Sequence, residues 1–457
     1  MTLERQNPGD VNMSVSIIKD GKKLKNDAGE YELKEFVRGF EIFESIGSAT
    51  LEAKLIIQDT AGLINTLTGT ELFEIRLIGS IIDRTFYMRS YSLESRSKIN
   101  QDSETYIVNL VSDEFIKNEC VNVFGNSRVI FNNKTETSQV VDTILTDKRF
   151  LQTRKNVYLE ETLNKHEFII PNWRPFDTIY WMTERSIRKT KTGGVLQNGF
   201  AFYENALGYH YKSLDKMIED IRDMSETKET NYTSGQTRLY TYGYSPKSVE
   251  QTQATDQFKI STITFPNEKN FLMGLRHGAW SGFSIGFDPA TISSSKMGES
   301  TDMSVDAHRY KISELWSKMS HLNTGQGNPI EKMDTSVRQL IDFPKRVRYT
   351  MLPNQIFDPK YKNQPQKNYE ELVELQAYQW MRIESLKNVK LQITIPGNLD
   401  LYVGSGINII MPTTQKSGEK PKIDERYSGR YMIASLTHST TGAKLVTELL
   451  LMKDSSV

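Results

Sequence analysis

Three kinds of residue in this chain have types and spacings that chemistry could use: paired acids, basic runs and a lone thiol. Glu160-Glu161 and Glu370-Glu371 are adjacent carboxylates, and glycoside hydrolysis needs two carboxyl groups set roughly 5–10 Å apart across the scissile bond. Glu370 and Glu371, however, open a helical pattern, where the helix dipole favours negative charge without any catalytic role. The first basic run holds Arg185, Arg188, Lys189 and Lys191. It follows an amphipathic stretch, and cations are favoured at a helix C-terminus. The second run, Lys345, Arg346 and Arg348, precedes a Pro-bearing stretch and is read as an interface or channel-lining set. Cys120 follows a strand with no histidine near it in sequence, which suits a small buried thiol better than a nucleophile. The histidines (His166, His210, His277, His308, His321, His438) are scattered with no pair at ligand spacing. No His-Glu-x-x-His, Cys-x-x-Cys, Walker-type or Gly-x-Ser-x-Gly run occurs. The expectation is a chain that is not an enzyme, with no catalytic residue, no cofactor and no metal.

The elements that would position such residues are mostly strands. At 457 residues the chain is too long for one ordinary core. Charged residues make up 25% and lysine plus arginine equals aspartate plus glutamate, so the composition is globular and carries no global basic excess for holding phosphate. One cysteine cannot form an internal disulfide. The N-terminal stretch has no apolar signal core, and no run approaches the ~18 apolar residues of a membrane span.

From residue 11 to 115 the pattern is nearly all β. Leu51, Ala53, Leu55 and Ile57 alternate with outward positions, which puts one face on a core. Gly69-Thr70-Glu71 opens the next strand. Residues 119–250 mix α and β. Thr137 or Ser138 is placed to cap a helix carrying Val140, Val141, Ile144 and Leu145, and Pro175 suits the first turn of another. Phe200–Tyr203 and Tyr209–Tyr211 flank a turn and read as a hairpin. Residues 250–365 are the least legible, with loops at 292–301 and 323–328 and an extended linker at 354–365. Tyr369–Leu386 then reads as a helix presenting Leu372, Val373, Ala377, Trp380 and Ile383 on one broad face. Val389–Ile395 alternates cleanly, Gly404-Ser405-Gly406 leads into another strand, Thr413–Arg426 reads as a charged loop, and two strands follow.

Two passages resemble a known family. Lys34–Ser45, Ala49–Asp59 and Gly69–Ile78 form the first. The second reads YEELVELQAYQWMRIESLKNVKLQITIPGNLDLYVGSGINIIMP, then RYSGRYMIASLTHS and KLVTELLLMKD. Both resemble the central baseplate hub protein of contractile-tailed bacteriophages, a relative of the type VI secretion spike hub. The resemblance implies a mainly β chain with an α/β middle: two tail-tube-like antiparallel β-barrel domains plus an inserted mixed α/β domain. The expected division is 1–118 for the first barrel, 119–335 for the insert (part of 250–275 pairing with the second barrel), and 336–457 for the second barrel with its packing helix at 369–386. That helix is expected to pack outside the second barrel through Trp380.

The implied role is geometric. Three copies form a ring that adapts a sixfold tail tube to a threefold spike and lines the DNA channel, without sequence-specific contact to the transiting DNA. The implied partners are a second and third copy, a trimeric spike protein, tail-tube or tube-initiator proteins and baseplate wedge proteins. The implied location is the virion tail, assembled in the host cytoplasm. The type VI relative continues past its last strand into a spike, so a separate spike protein is expected. A tail-associated peptidoglycan hydrolase and the hub of a phage-derived, DNA-free injection device are the rival readings.

Overall fold

The computed structural model describes residues 8–26, 29–30, 33–79, 81–124, 131–132, 134–167, 169–189, 197–224, 238–244, 254–266, 271–288, 293–294, 308–325, 327–341, 347–351, 360, 364–417 and 420–454. The chain is mainly β. Its largest feature is one 13-stranded sheet drawing on both ends of the sequence.

The first half of that sheet is built from β1 (Val11–Lys19), β2 (Val37–Ser45), β3 (Glu52–Asp59), β4 (Leu72–Gly79), β5 (Asp83–Lys98) and β6 (Glu104–Ser112), with the two-residue strand Lys22–Lys23 folded back on the far edge of β1 as the thirteenth. Period-two alternation decides which face is buried. Ala53, Leu55 and Ile57 point inward on β3 while Ile56 is left exposed. With Val15, Phe40, Phe73, Ile75 and Val108 they form one apolar core. All neighbours are antiparallel, in the order β2-β3-β6-β5-β4-β1.

The middle of the chain carries helices α1 (Asp113–Cys120), α2 (Thr137–Thr146), α3 (Pro175–Thr183) and α4 (Leu214–Arg222). With them goes a small sheet of β7 (Asn156–Leu159), β8 (Phe200–Asn205) and β9 (Gly208–Ser213), in which β8 and β9 are the expected hairpin. Phe176, Phe202, Tyr209 and Tyr211 dominate its core. The cap of α2 is Glu136 rather than Thr137 or Ser138. The Thr137 hydroxyl donates to the Asn164 carbonyl and the Ser138 hydroxyl is engaged with Thr162, while Glu136 and Gln139 form a reciprocal capping box. Cys120 ends α1 and is exposed, against the expected buried thiol.

The second half of the large sheet uses β10 (Tyr240–Gly243), β11 (Thr262–Thr264), β15 (Val389–Pro396), β16 (Gly406–Ile410), β17 (Gly429–Thr441) and β18 (Lys444–Lys453). Between β11 and β15 the chain makes a separate sheet of β12 (Ser281–Asp288), β13 (His308–Lys311) and β14 (Val347–Met351). Helix α5 (Phe271–His277) precedes that sheet, and the long helix α6 (Pro365–Leu386) follows it; α6 begins four residues before the expected Tyr369, because Pro365 suits a first helical turn, so Glu370 and Glu371 lie beyond that turn rather than in it. Part of the expected charged loop at 413–426 is a hairpin, Pro412–Ser417 with Lys420–Ile423, because β-branched Thr413, Thr414 and Ile423 favour extended backbone.

The order in the second half is β11-β15-β18-β17-β16-β10. It matches the first half strand for strand: β11 stands where β2 does, then β15 for β3, β18 for β6, β17 for β5, β16 for β4 and β10 for β1. The match reaches single residues. β5 bulges between Ser90 and Ser92, one residue past the last pairing with β4 at Leu72↔Arg89. β17 bulges between Ile433 and Ser435, one residue past the last pairing with β16 at Gly406↔Met432. The one difference in pairing sense is that β10 lies parallel to β16, whereas β1 is antiparallel to β4. The chain therefore repeats one six-strand module.

Candidate functional site: the junction of the two modules

Beyond its bulge, β17 leaves β16 and pairs with β2, from Ser435↔Ser45 to Thr441↔Gly39. Residues about 400 positions apart thus share a ladder. The Phe40 N–H donates to Thr440 Oγ1 at 3.0 Å, and Leu399 and Leu445 of the second module enter the first module's core.

Buried acids lock the junction to the middle of the chain. Glu44 on β2 is only 3% exposed. Its carboxyl oxygens accept the N–H groups of Ala206 (2.9 Å) and Val403 (3.1 Å), so one side chain joins β2, the β8–β9 turn and the segment before β16. Beside it, fully buried Glu204 accepts the Leu51 N–H and an ion pair from Lys155 at 2.5 Å, and Lys155 reaches Glu114 on α1 at 2.7 Å. Burial works against the Lys155 charge, but Glu204 and Glu114 outweigh it and hold its pKa above the usual lysine range. Asn205 Nδ2 donates to the Val403 carbonyl at 3.0 Å.

Burial pushes the Glu44 carboxyl up to about 7, against the two backbone N–H groups and Arg84. The folded state therefore holds a proton that the unfolded state has released, so the Glu44 contribution to stability is full below about pH 4.5 and declines as pH rises towards 7. Glu44→Gln removes this term. The unfolding free energy of the variant relative to the parent is expected to rise through that window and level off above it, as followed by denaturant unfolding at several pH values.

The acids and bases with chemical potential are engaged elsewhere. Arg188 is almost fully buried and binds Glu160 (2.5 Å) and Glu219 (2.8 Å), and Lys189 binds Glu161 (2.8 Å). The adjacent acids are thus neutralised by the first basic run, residue against residue. Arg185 lies over the Trp181 ring at 4.4 Å and pairs with Glu184, and Lys191 lies outside the described residues. Glu371 pairs with Lys360 at 3.6 Å. Of the second basic run, Arg348 falls in β14, while Lys345 and Arg346 lie outside the described residues. Among the described residues nothing brings these sets together at one place.

Helix α6 does more than cover one face. Val373 and Ala377 are buried, Leu372 lies within the helix, and Ile383 packs on the second module's core beside Leu386. Trp380, expected against the second barrel, packs instead with Ala377, Tyr378 and Met381 on the cluster of Trp280, Tyr310 and Trp316 beneath the third sheet. Its Nε1 donates to the His277 carbonyl at 2.9 Å. Because the ring is only partly covered, Trp380→Ala is expected to lower the unfolding free energy by about 2 kcal/mol, below the range for a sealed aromatic. Trp380→Phe should recover most of that in the same melt.

A second buried cluster was not legible in sequence. Arg382 of α6, Asp215 of α4 and Asp454 after β18 are all fully buried. Arg382 lies 3.3 Å from Asp215 and 3.7 Å from Asp454, and its Nη2 donates to the Ser320 carbonyl at 2.5 Å. Tyr378 Oη and the Ser320 N–H donate to Asp215, and His321 Nδ1 sits 2.7 Å from Asp454.

No family model and no curated protein matches this sequence. Solved structures do. The tail protein from Neisseria meningitidis MC58 superposes with a TM-score of 0.51 at 11% identity, over 97% of each chain. The chain has the fold of that tail protein. The 43 kDa tail protein of prophage MuSo2 from Shewanella oneidensis aligns over 96% of this chain and 98% of its own, at 9% identity and a TM-score of 0.48. The phage P2 baseplate structure contains a chain aligned over 97% and 99%, at 11% identity and a TM-score of 0.32. The alignment covers 97% of this chain, so the shared backbone path extends through the middle and the α6 region as well as the two modules. At that identity the likeness speaks to backbone path rather than to particular side chains.

Proposed function

We propose that this chain is a non-enzymatic structural hub of a phage-type tail baseplate. Three copies form a ring that joins a sixfold tail tube on one side to a threefold spike on the other, with the DNA channel through its centre. The observation that carries this reading is the repeat of one six-strand module within a single chain. A chain holding two equivalent modules offers six equivalent positions from three copies, which is what an adaptor between sixfold and threefold partners requires. The partners are then further copies of the chain, a separate spike, tube or tube-initiator proteins and wedge proteins, and the location is the virion tail after assembly in the host cytoplasm. A formal charge of zero suits a channel that lets DNA pass without gripping it. Lys345, Arg346 and Arg348 are proposed as interface or channel residues.

The test is the mass of the purified protein, alone and with its spike, together with a low-resolution image. Three copies and a threefold ring with a central hole are expected. A stable monomer within the spike complex overturns the reading. Clearing of bacterial cell walls by the pure chain would replace it with the hydrolase reading.

A further inference from the structure

The repeat leaves one position unfilled. In the second module, β17 pairs with β16 up to its bulge and with β2 of the first module beyond it. In the first module, β5 pairs with β4 up to the equivalent bulge, and beyond it no strand among the described residues lies on that edge; a second irregularity between Glu94 and Ser97, with Ser95 at a φ of 57°, interrupts this edge and has no counterpart in β17, so the register is carried across through the shared partner β6. The strand equivalent to β2 is β11, which pairs with β15 on one side and closes the sheet order at that end. One junction is therefore satisfied within the chain, and both halves of an equivalent junction stand open: the outer part of β5 and the outer edge of β11.

We infer that the outer edge of β5, residues Ser92–Lys98, pairs antiparallel with β11 of a second copy of this chain, repeating between chains the β17–β2 junction made within one. This rests on the hub reading and names the strands that would build its ring. The register follows from the shared ladders. Ser439 and Thr440 of β17 face Val446 and Leu445 as Ser97 and Lys98 of β5 face Thr105 and Glu104. Ser439 and Thr440 meet Glu41 and Phe40. Glu41 and Phe40 sit opposite Lys54 and Leu55, as Thr264 and Ile263 sit opposite Gln392 and Ile393. The expected contacts between chains are thus Ser97 with Thr264 and Lys98 with Ile263.

The side chains agree with the placement. Both donor strands are rich in small hydroxyls past the bulge: Ser435, Thr437, Ser439 and Thr440 on β17, and Ser92, Ser95 and Ser97 on β5. Arg96, the bulkiest residue in the open stretch of β5, is drawn back onto Glu104 of β6 by two hydrogen bonds of 2.8 and 3.2 Å. Each chain offers one β5 edge and one β11 edge, so copies join head to tail, the arrangement that closes into rings. Pairing also removes two open edges that would otherwise template unspecific association.

Cysteine pairs read this directly. Cys120, which is exposed, is first replaced by serine. Ser97→Cys with Thr264→Cys, and separately Lys98→Cys with Ile263→Cys, are then introduced into the full chain. Adjacent antiparallel pairs alternate between wide and close spacing, so one of the two sits at disulfide distance. Within a chain, β5 and β11 lie seven strand spacings apart, roughly 34 Å along the sheet, so a bond between them reports two chains. On oxidation, at least one pair is expected to convert most of the protein to a ladder ending at the native copy number, with each single cysteine giving none of it. If the parent protein assembles into its ring and neither pair cross-links, the edge assignment is wrong and the hub reading stands. If the parent stays monomeric even with its spike, both fail.

Discussion

Arg382→Met is expected to lower the unfolding free energy by about 3–5 kcal/mol, the range for removing one partner from a buried ion pair. The reason lies in what remains. Asp215 and Asp454 are fully buried on either side of Arg382. Methionine matches much of the volume, so the loss is electrostatic rather than a cavity. Asp215 keeps the Tyr378 hydroxyl and the Ser320 N–H, but these dipoles do not cancel its charge. Adding Asp215→Asn to Arg382→Met is therefore expected to recover part of the deficit, whereas Asp215→Asn alone destabilises. A double-mutant cycle by denaturant unfolding gives the coupling. Additive effects would mean that the guanidinium and the carboxylate do not act on one another.

The second large effect is expected at Gly404, before β16. Its φ is +79°, and a Cβ built there overlaps the Tyr203 hydroxyl and ring. Tyr203 is almost fully buried and stacked on His210, with centroids 5.0 Å apart, so it has little room to yield. Gly404→Ala is expected to lower the unfolding free energy by about 2–4 kcal/mol, combining overpacking with the left-handed backbone. Gly69, before β4, provides the control. Its φ is +84°, yet nothing lies within 4 Å of a Cβ there. Gly69→Ala should show only the backbone part, about 1 kcal/mol. Tyr203→Phe removes the overlapping hydroxyl at the loss of one weak bond to Met217, so it should relieve part of the Gly404→Ala defect. Equal losses at Gly69 and Gly404 would refute the steric account.

These sites show where sequence patterns carry information. Alternation in Ala53, Leu55 and Ile57, and again in Leu391, Ile393 and Ile395, announces half-buried strands because side chains on a strand must choose a face. The glycines before β4 and β16 were visible as punctuation. What they touch was not, since that depends on Tyr203 arriving from the middle of the chain. The short strand β10 carries too few residues for any period to register, yet it completes the second module, whereas β11 falls inside the 250–275 stretch expected to pair with the second barrel. The side of α6 that meets Trp280 and Trp316 does not follow from the sequence, because the helix buries residues against two separate clusters, and Ala377, Tyr378 and Met381 belong to one while Ile383 and Leu386 belong to the other. The buried cluster around Arg382 left no mark at all. Arginine in a helix looks solvated until Asp215 and Asp454, distant in sequence, are placed beside it.

The pairing of β17 with β2 also has a consequence during synthesis. The ribosome releases β2 long before β17, so the nascent first module waits with one flank unclaimed while nearly 400 further residues are made. A polypeptide stopped anywhere between β6 and β17 keeps that flank permanently open, even though its own apolar core is largely present. Such truncated products are expected to be the sticky ones. The last strands act as a late seal, and their arrival marks when a newly made copy becomes safe to meet its neighbours.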